Sequence, residues 1–159
     1  MIYRITLLLA ILLYACNTPH RITQNHTPFI QNGIRVTMEE NEQEIIFKIQ
    51  NTNNYPVVMA QPDQLTLQQQ QGEQWQRVRT LYCPCGASCP SPREFVELSP
   101  EAFTLLSWDK KESWCVHNTP QRIPETAEKP AEKGNYRLVV SCGQHPKTTH
   151  TIYYEFKLN

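Results

Sequence analysis

The chain is poor in glycine and in charge, and it lacks the short motifs that mark common catalytic sites. Five glycines stand against twelve prolines, and runs of Ala, Leu, Glu and Lys are scarce, which disfavours long helices and favours strands joined by irregular loops. Fifteen Lys+Arg balance fifteen Asp+Glu, and only 19% of residues are charged, so there is no basic field for nucleic acid. There is no Gly-x-Ser-x-Gly elbow, His-Glu-x-x-His helix, phosphate-cradling glycine loop or dinucleotide fingerprint, and no Cys-x-x-Cys redox pair. These absences predict a protein that is not an enzyme, needs no cofactor and binds no nucleic acid.

Long apolar runs are also missing, apart from one at the start. Arg4 is followed by Ile5 to Tyr14, an uncharged stretch about half the ~20 residues that a membrane-spanning helix needs. A short positive region and a short apolar region have the form of an export signal. The junction that follows, Leu13-Tyr14-Ala15-Cys16, resembles the lipobox of bacterial lipoproteins, in which a small residue precedes the cysteine that is acylated and becomes the mature N-terminus. The resemblance implies a signal peptide at 1–15 and a lipid anchor on Cys16. Asn17 is not the aspartate that resembles the inner-membrane retention signal of enteric bacteria, which implies the outer membrane where two membranes exist. Residues 16–32, with Pro19, Pro28, His20 and His26 and little apolar periodicity, are predicted to be a flexible tether.

From residue 33 to 159 the pattern is that of strands. Ile34, Val36 and Met38 alternate with Arg35 and Thr37, and Ile45, Phe47 and Ile49 alternate with Ile46, Lys48 and Gln50 before the turn cluster Asn51 to Asn54. Further runs are Tyr55 to Ala60, Leu65 to Leu67, Trp75 to Arg79, Phe95 to Leu98 and Phe103 to Trp108. The last two are Tyr136 to Val140 and Ile152 to Leu158. The glutamines Gln68 to Gln71 read as a hairpin tip, and Asp109 to Glu112 as a solvated turn. The sum is an all-β, antiparallel, immunoglobulin-like β-sandwich of about eight strands with a cysteine-rich loop. Phe47 and Tyr136 are candidate core residues. Trp108 and Trp114 read as core or loop packing rather than as a ligand platform.

Gly134-Asn135-Tyr136 resembles the Gly-x-Tyr entry to a late strand of immunoglobulin-like sandwiches. Together with Ile46 to Thr52 and Leu105 to Asp109, the layout is similar to the intracellular proteinase inhibitors of bacilli and to lipoproteins with a related core. That resemblance implies the sandwich and, more remotely, inhibition of a protease in the cell envelope.

With Cys16 assigned to lipid, five cysteines remain: Cys83, Cys85, Cys89, Cys115 and Cys142. Outside the cytoplasm disulfides are the default, and an odd number leaves one cysteine over. A bridge between Cys83 and Cys85 would close a very small ring containing Pro84 and is disfavoured. Fifteen arrangements of two bridges remain open, and Cys115 and Cys142, near the ends of two different strands, could meet across or between sheets. The segment Cys83 to Pro92 reads as a disulfide-pinned loop. Its alternative is a soft-metal site for copper(I) or zinc, built from Cys83, Cys85 and Cys89 with His117 or His145.

The leading functional expectation is a membrane-anchored extracytoplasmic lipoprotein. It acts as a non-catalytic module that touches an envelope or secreted protein through the loops at one end of its sandwich. A protease inhibitor and a Cys/His metal-handling lipoprotein are the alternatives.

Overall fold

The structure, a computed structural model, describes residues 24–25, 27–116 and 124–159. Residues 1–15, expected to be a signal peptide, and Cys16, His20, His26 and His117 lie outside the described residues. Two antiparallel sheets pack face to face with their apolar residues between them, as the alternating pattern predicts.

In the first sheet β1 (Gln24–Asn25) and β2 (Phe29–Gln31) lie end to end along β3 (Ile34–Glu40). Next come β4 (Ile45–Asn51) and β9 (Phe103–Trp108), which forms the edge. In the second sheet β12 (Gly134–Gly143) pairs along its length with β13 (Thr149–Leu158). The other side of β12 carries β5 (Val57–Ala60) and β6 (Leu67–Gln71) end to end. Outside these lie β8 (Phe95–Leu98) and β7 (Gln74–Arg77). The chain crosses between sheets after β4, returns after β8 and crosses again before β12, which is the connectivity of an immunoglobulin-like sandwich. A separate hairpin, β10 (Lys111–Val116) with β11 (Glu125–Pro130), is inserted between β9 and β12.

The observed strands outnumber the eight or so predicted, for identifiable reasons. Residues 61–66 break one strand position into β5 and β6, and the cysteine-rich excursion 78–94 breaks its neighbour into β7 and β8. The glutamines are paired strand rather than hairpin tip, and the turn itself is Gly72-Glu73, with Gly72 at φ 62°. Residues 24–25 and 29–31, within the span expected to be a tether, are paired strand. Asn32 and Gly33 have φ 52° and 71°, the pair of positive values that a two-residue hairpin turn requires, and they fold Phe29–Gln31 back onto Ile34–Val36. A Cβ at Gly33 would overlap the Asn53 carboxamide.

The core is aromatic at its centre. Trp108 and Tyr136 lie 5.2 Å apart between ring centroids, Phe47 and Phe156 5.3 Å, and Tyr136 and Phe156 5.8 Å, spacings at which ring pairs attract. Tyr136 is 1% exposed, and its hydroxyl donates to the Glu132 carbonyl at 2.5 Å. That bond is a tyrosine corner: a buried phenol reaching back four residues to pin the chain as it enters a strand. Trp108 packs in the same cluster and donates its indole N–H to the Lys111 carbonyl at 2.8 Å.

The second sheet's entry is fixed by Asn51, fully buried at the end of β4. Its amide donates to the carbonyls of Tyr55 at 2.8 Å and Leu98 at 2.9 Å, and its Oδ1 accepts from the Asn53 backbone at 2.9 Å. A buried amide so satisfied is cheap to keep and costly to remove.

Candidate functional site: the loop-end cleft and the cysteine knot

The disulfides connect Cys83 to Cys89 and Cys85 to Cys115, with Cα separations of 6.2 and 5.6 Å. Cys142 is unpaired and buried. Of the open arrangements, those that join Cys115 to Cys142 are therefore not formed. Cys115 sits on the inserted hairpin opposite the knot, whereas Cys142 continues the inward-facing series Tyr136, Leu138, Val140 on β12 and faces the core. Cys83 and Cys85 are not joined to each other, as the ring argument requires. Burial pushes the Cys142 thiol up to about 12, so it remains protonated and unreactive.

The metal alternative is corrected by the same pairing. With Cys83, Cys85 and Cys89 in disulfides, none can supply a thiolate. His145 closes its own turn, its Nδ1 accepting from the Lys147 backbone at 3.2 Å and its carbonyl from the Thr148 backbone at 2.9 Å. Among the described residues no cluster of three or more His, Cys, Asp or Glu is arranged to hold a metal ion.

The knot is stitched to the inserted hairpin by more than the Cys85–Cys115 bridge. Ser113 donates its backbone N–H to the Arg79 carbonyl at 2.9 Å, and its hydroxyl accepts from the Leu81 backbone at 2.9 Å. Thr126 accepts from the Cys85 backbone at 2.8 Å. Arg79 lies over the Trp114 ring at 4.0 Å and pairs with Glu112 at 3.1 Å. Lys129 reaches the other Glu112 oxygen at 2.9 Å. Partial burial alone would raise the Glu112 carboxyl, but the hydrogen bonds from Lys129 and Arg79 outweigh it and hold the group below its ordinary value. Glu112 thus belongs to a strand and an ion network, and the turn is made by Asp109 and Lys110, with Lys110 at φ 59°.

At one end of the sandwich three turns converge on a cleft of about 690 Å³. Asn32 comes from the β2–β3 turn, Asn53 and Tyr55 from the β4–β5 connection, and Gln144 and Thr148 from the β12–β13 turn. His150, the ladder partner of Cys142, completes the rim, and Ile34, Val57, Cys142 and Ile152 line the apolar part. The β12–β13 turn packs so tightly on β12 that a Cβ at Gly143 would overlap the Thr148 carbonyl. Amide, phenol and imidazole groups around an apolar lining can hydrogen-bond a polar ligand group while burying an apolar one.

None of these rim residues stands out in the sequence as a site. The turn cluster at 51–54 and Gly143 are visible as turns. Their convergence with Asn32 depends on the crossings between sheets. Comparison of the chain with protein-family models, with curated proteins and with solved structures gives no match. The class is set by topology alone: an immunoglobulin-like β-sandwich with a disulfide-pinned flank.

Proposed function

We propose that the chain is a membrane-anchored extracytoplasmic binding module. Residues 1–15 direct export, acylated Cys16 holds the chain in the outer membrane where there are two membranes, and the loop-end cleft engages an envelope or secreted protein without catalysis. The observation that supports this reading best is the polarity of the sandwich. The first described strand of the first sheet begins at Gln24 beside Glu40, the end at which Ile45 pairs with Trp108. The cleft lies at the opposite end, where β3 begins at Ile34. Seven residues of β3 at about 3.3 Å each separate the two ends by about 20 Å. A lipid at the N-terminal side therefore leaves the cleft directed away from the surface that holds it.

The anchor is tested by feeding radioactive fatty acid to cells that make the wild-type chain or Cys16→Ser. The wild type incorporates label and fractionates with membranes, and the variant does neither. Label retained by the variant contradicts the reading. The cleft is tested in the same cells with Tyr55→Ala and Gln144→Ala, which leave anchoring unchanged and weaken co-purification of the bound protein at least tenfold.

A further inference from the structure

We infer that β9 is a docking edge for one extended, uncharged segment of a partner polypeptide, received by strand addition on a face separate from the cleft. β9 ends the first sheet, so one side of its backbone is unpaired among the described residues. The direction of its groups follows from one bond. The Asn51 N–H donates to the Ala102 carbonyl at 3.0 Å, so with the β4–β9 register Thr104, Leu106 and Trp108 turn their backbone groups toward β4. Phe103, Leu105 and Ser107 turn theirs outward.

This edge lacks the usual protection. Open edges in natural proteins carry charges or prolines, and the edge strand β13 has Glu155 and Lys157 facing out. From Phe103 to Trp108 there is no charge and no proline, and Phe103 and Leu105 are 52% and 55% exposed. The edge also has an opposite wall. A groove of about 550 Å³ runs between β9 and Leu81, Tyr82 and Pro84, on the segment held by Cys83–Cys89 and Cys85–Cys115.

The wall selects the occupant. A groove bounded on its far side by a cross-linked loop admits a single strand, whereas a second copy would have to bring a whole sheet edge into it. The groove's charges are largely met internally, Asp63 by Arg93, and Glu128 and Asp109 by Lys111 at 2.7 and 4.0 Å, which leaves little to attract a strongly charged segment. Main-chain hydrogen bonds to the outward groups would supply affinity, and alternate side chains against Leu81, Tyr82 and Leu105 would supply selectivity.

The test is amide exchange by nuclear magnetic resonance on the full-length protein in detergent micelles, with acetyl-Thr-Val-Thr-Val-Thr-Val-amide as probe. In the free protein the N–H groups of Phe103, Leu105 and Ser107 exchange fast while those of Thr104, Leu106 and Trp108 are protected. The probe slows the first three at least tenfold. N-methylation of the probe at alternate residues abolishes this in one register and spares it in the other. Leu105→Pro, which removes an outward N–H but no ladder bond, and Leu105→Lys each weaken binding at least tenfold while the β12 amides remain protected. Protection of the three amides before the probe is added overturns the proposal, since the edge would already be covered. So does binding that leaves them fast, tolerance of N-methylation in both registers, or no binding at millimolar probe.

Discussion

At the scale of single residues, the positions that matter most are buried groups with few alternatives. Asn51→Ala strips the Tyr55 and Leu98 carbonyls of their donor and should cost about 2–4 kcal/mol in urea unfolding, since each buried polar group left unpaired costs about 1–3 kcal/mol. Asn51→Asp should be no better, because it replaces two donated bonds with a buried charge. Cys142 and Tyr136 set the alkaline limit. Burial raises both to about 12, nearby Glu112 and Glu132 adding to the effect at Tyr136, from ordinary values of 9.0 and 10.0. The unfolded chain loses these protons first, so their contribution to stability is complete below about pH 9 and is lost as pH rises toward 12. A melting series from pH 8 to 12 should show a decline that begins later in Cys142→Ala. The Cys142 thiol should label with iodoacetamide only after unfolding. Tyr136 and Phe47 were legible in the sequence because they fall on an alternating apolar face. Asn51 was legible only as part of a turn, because its value lies in carbonyls that the fold brings to it from Tyr55 and Leu98.

At the scale of elements, strands built by core burial were readable, and strands built by other forces were not. Phe47→Ala, in a strand with period-two burial, should cost about 3–5 kcal/mol. The hairpin of β10 and β11 gives no such pattern, because it is held by Lys111–Glu128, Lys129–Glu112, Arg79 on Trp114 and the Cys85–Cys115 bridge. Asp109 to Glu112 therefore reads in the sequence as a solvated turn. The Asn32-Gly33 turn was readable from its residue pair, and it is what the expectation of a tether to residue 32 overlooks. The Cys85–Cys115 bridge spans 30 residues, and restraint of the unfolded chain by such a loop is worth about 3–4 kcal/mol. Replacing both cysteines with serine should lower stability by up to that amount and expose residues 80–94 to proteolysis, with the far-ultraviolet β signal retained. Global loss of that signal in the double variant, beside a silent Phe47→Ala, would make the knot rather than the sandwich the organising centre.

At the scale of the whole molecule, the sandwich was legible from its alternating strands, but the gathering of the cleft at one of its ends was not. Asn32, Tyr55 and Gln144 are far apart in sequence and share one end only because the chain crosses between sheets after β4 and before β12. The Asn32-Gly33 turn, which folds β2 and β1 back along β3, leaves the first described strand at the other end. The cleft therefore faces away from the side on which we propose the anchor lies. Photo-cross-linking in intact cells tests that most directly, with a benzoyl-phenylalanine placed at Gln144 on the cleft rim or at Lys133 at the opposite end, both exposed. A discrete adduct with one envelope or secreted protein from position 144, and none from position 133, is the predicted result. An adduct formed only from position 133, or equal ladders from both, would contradict an outward-facing binding cleft.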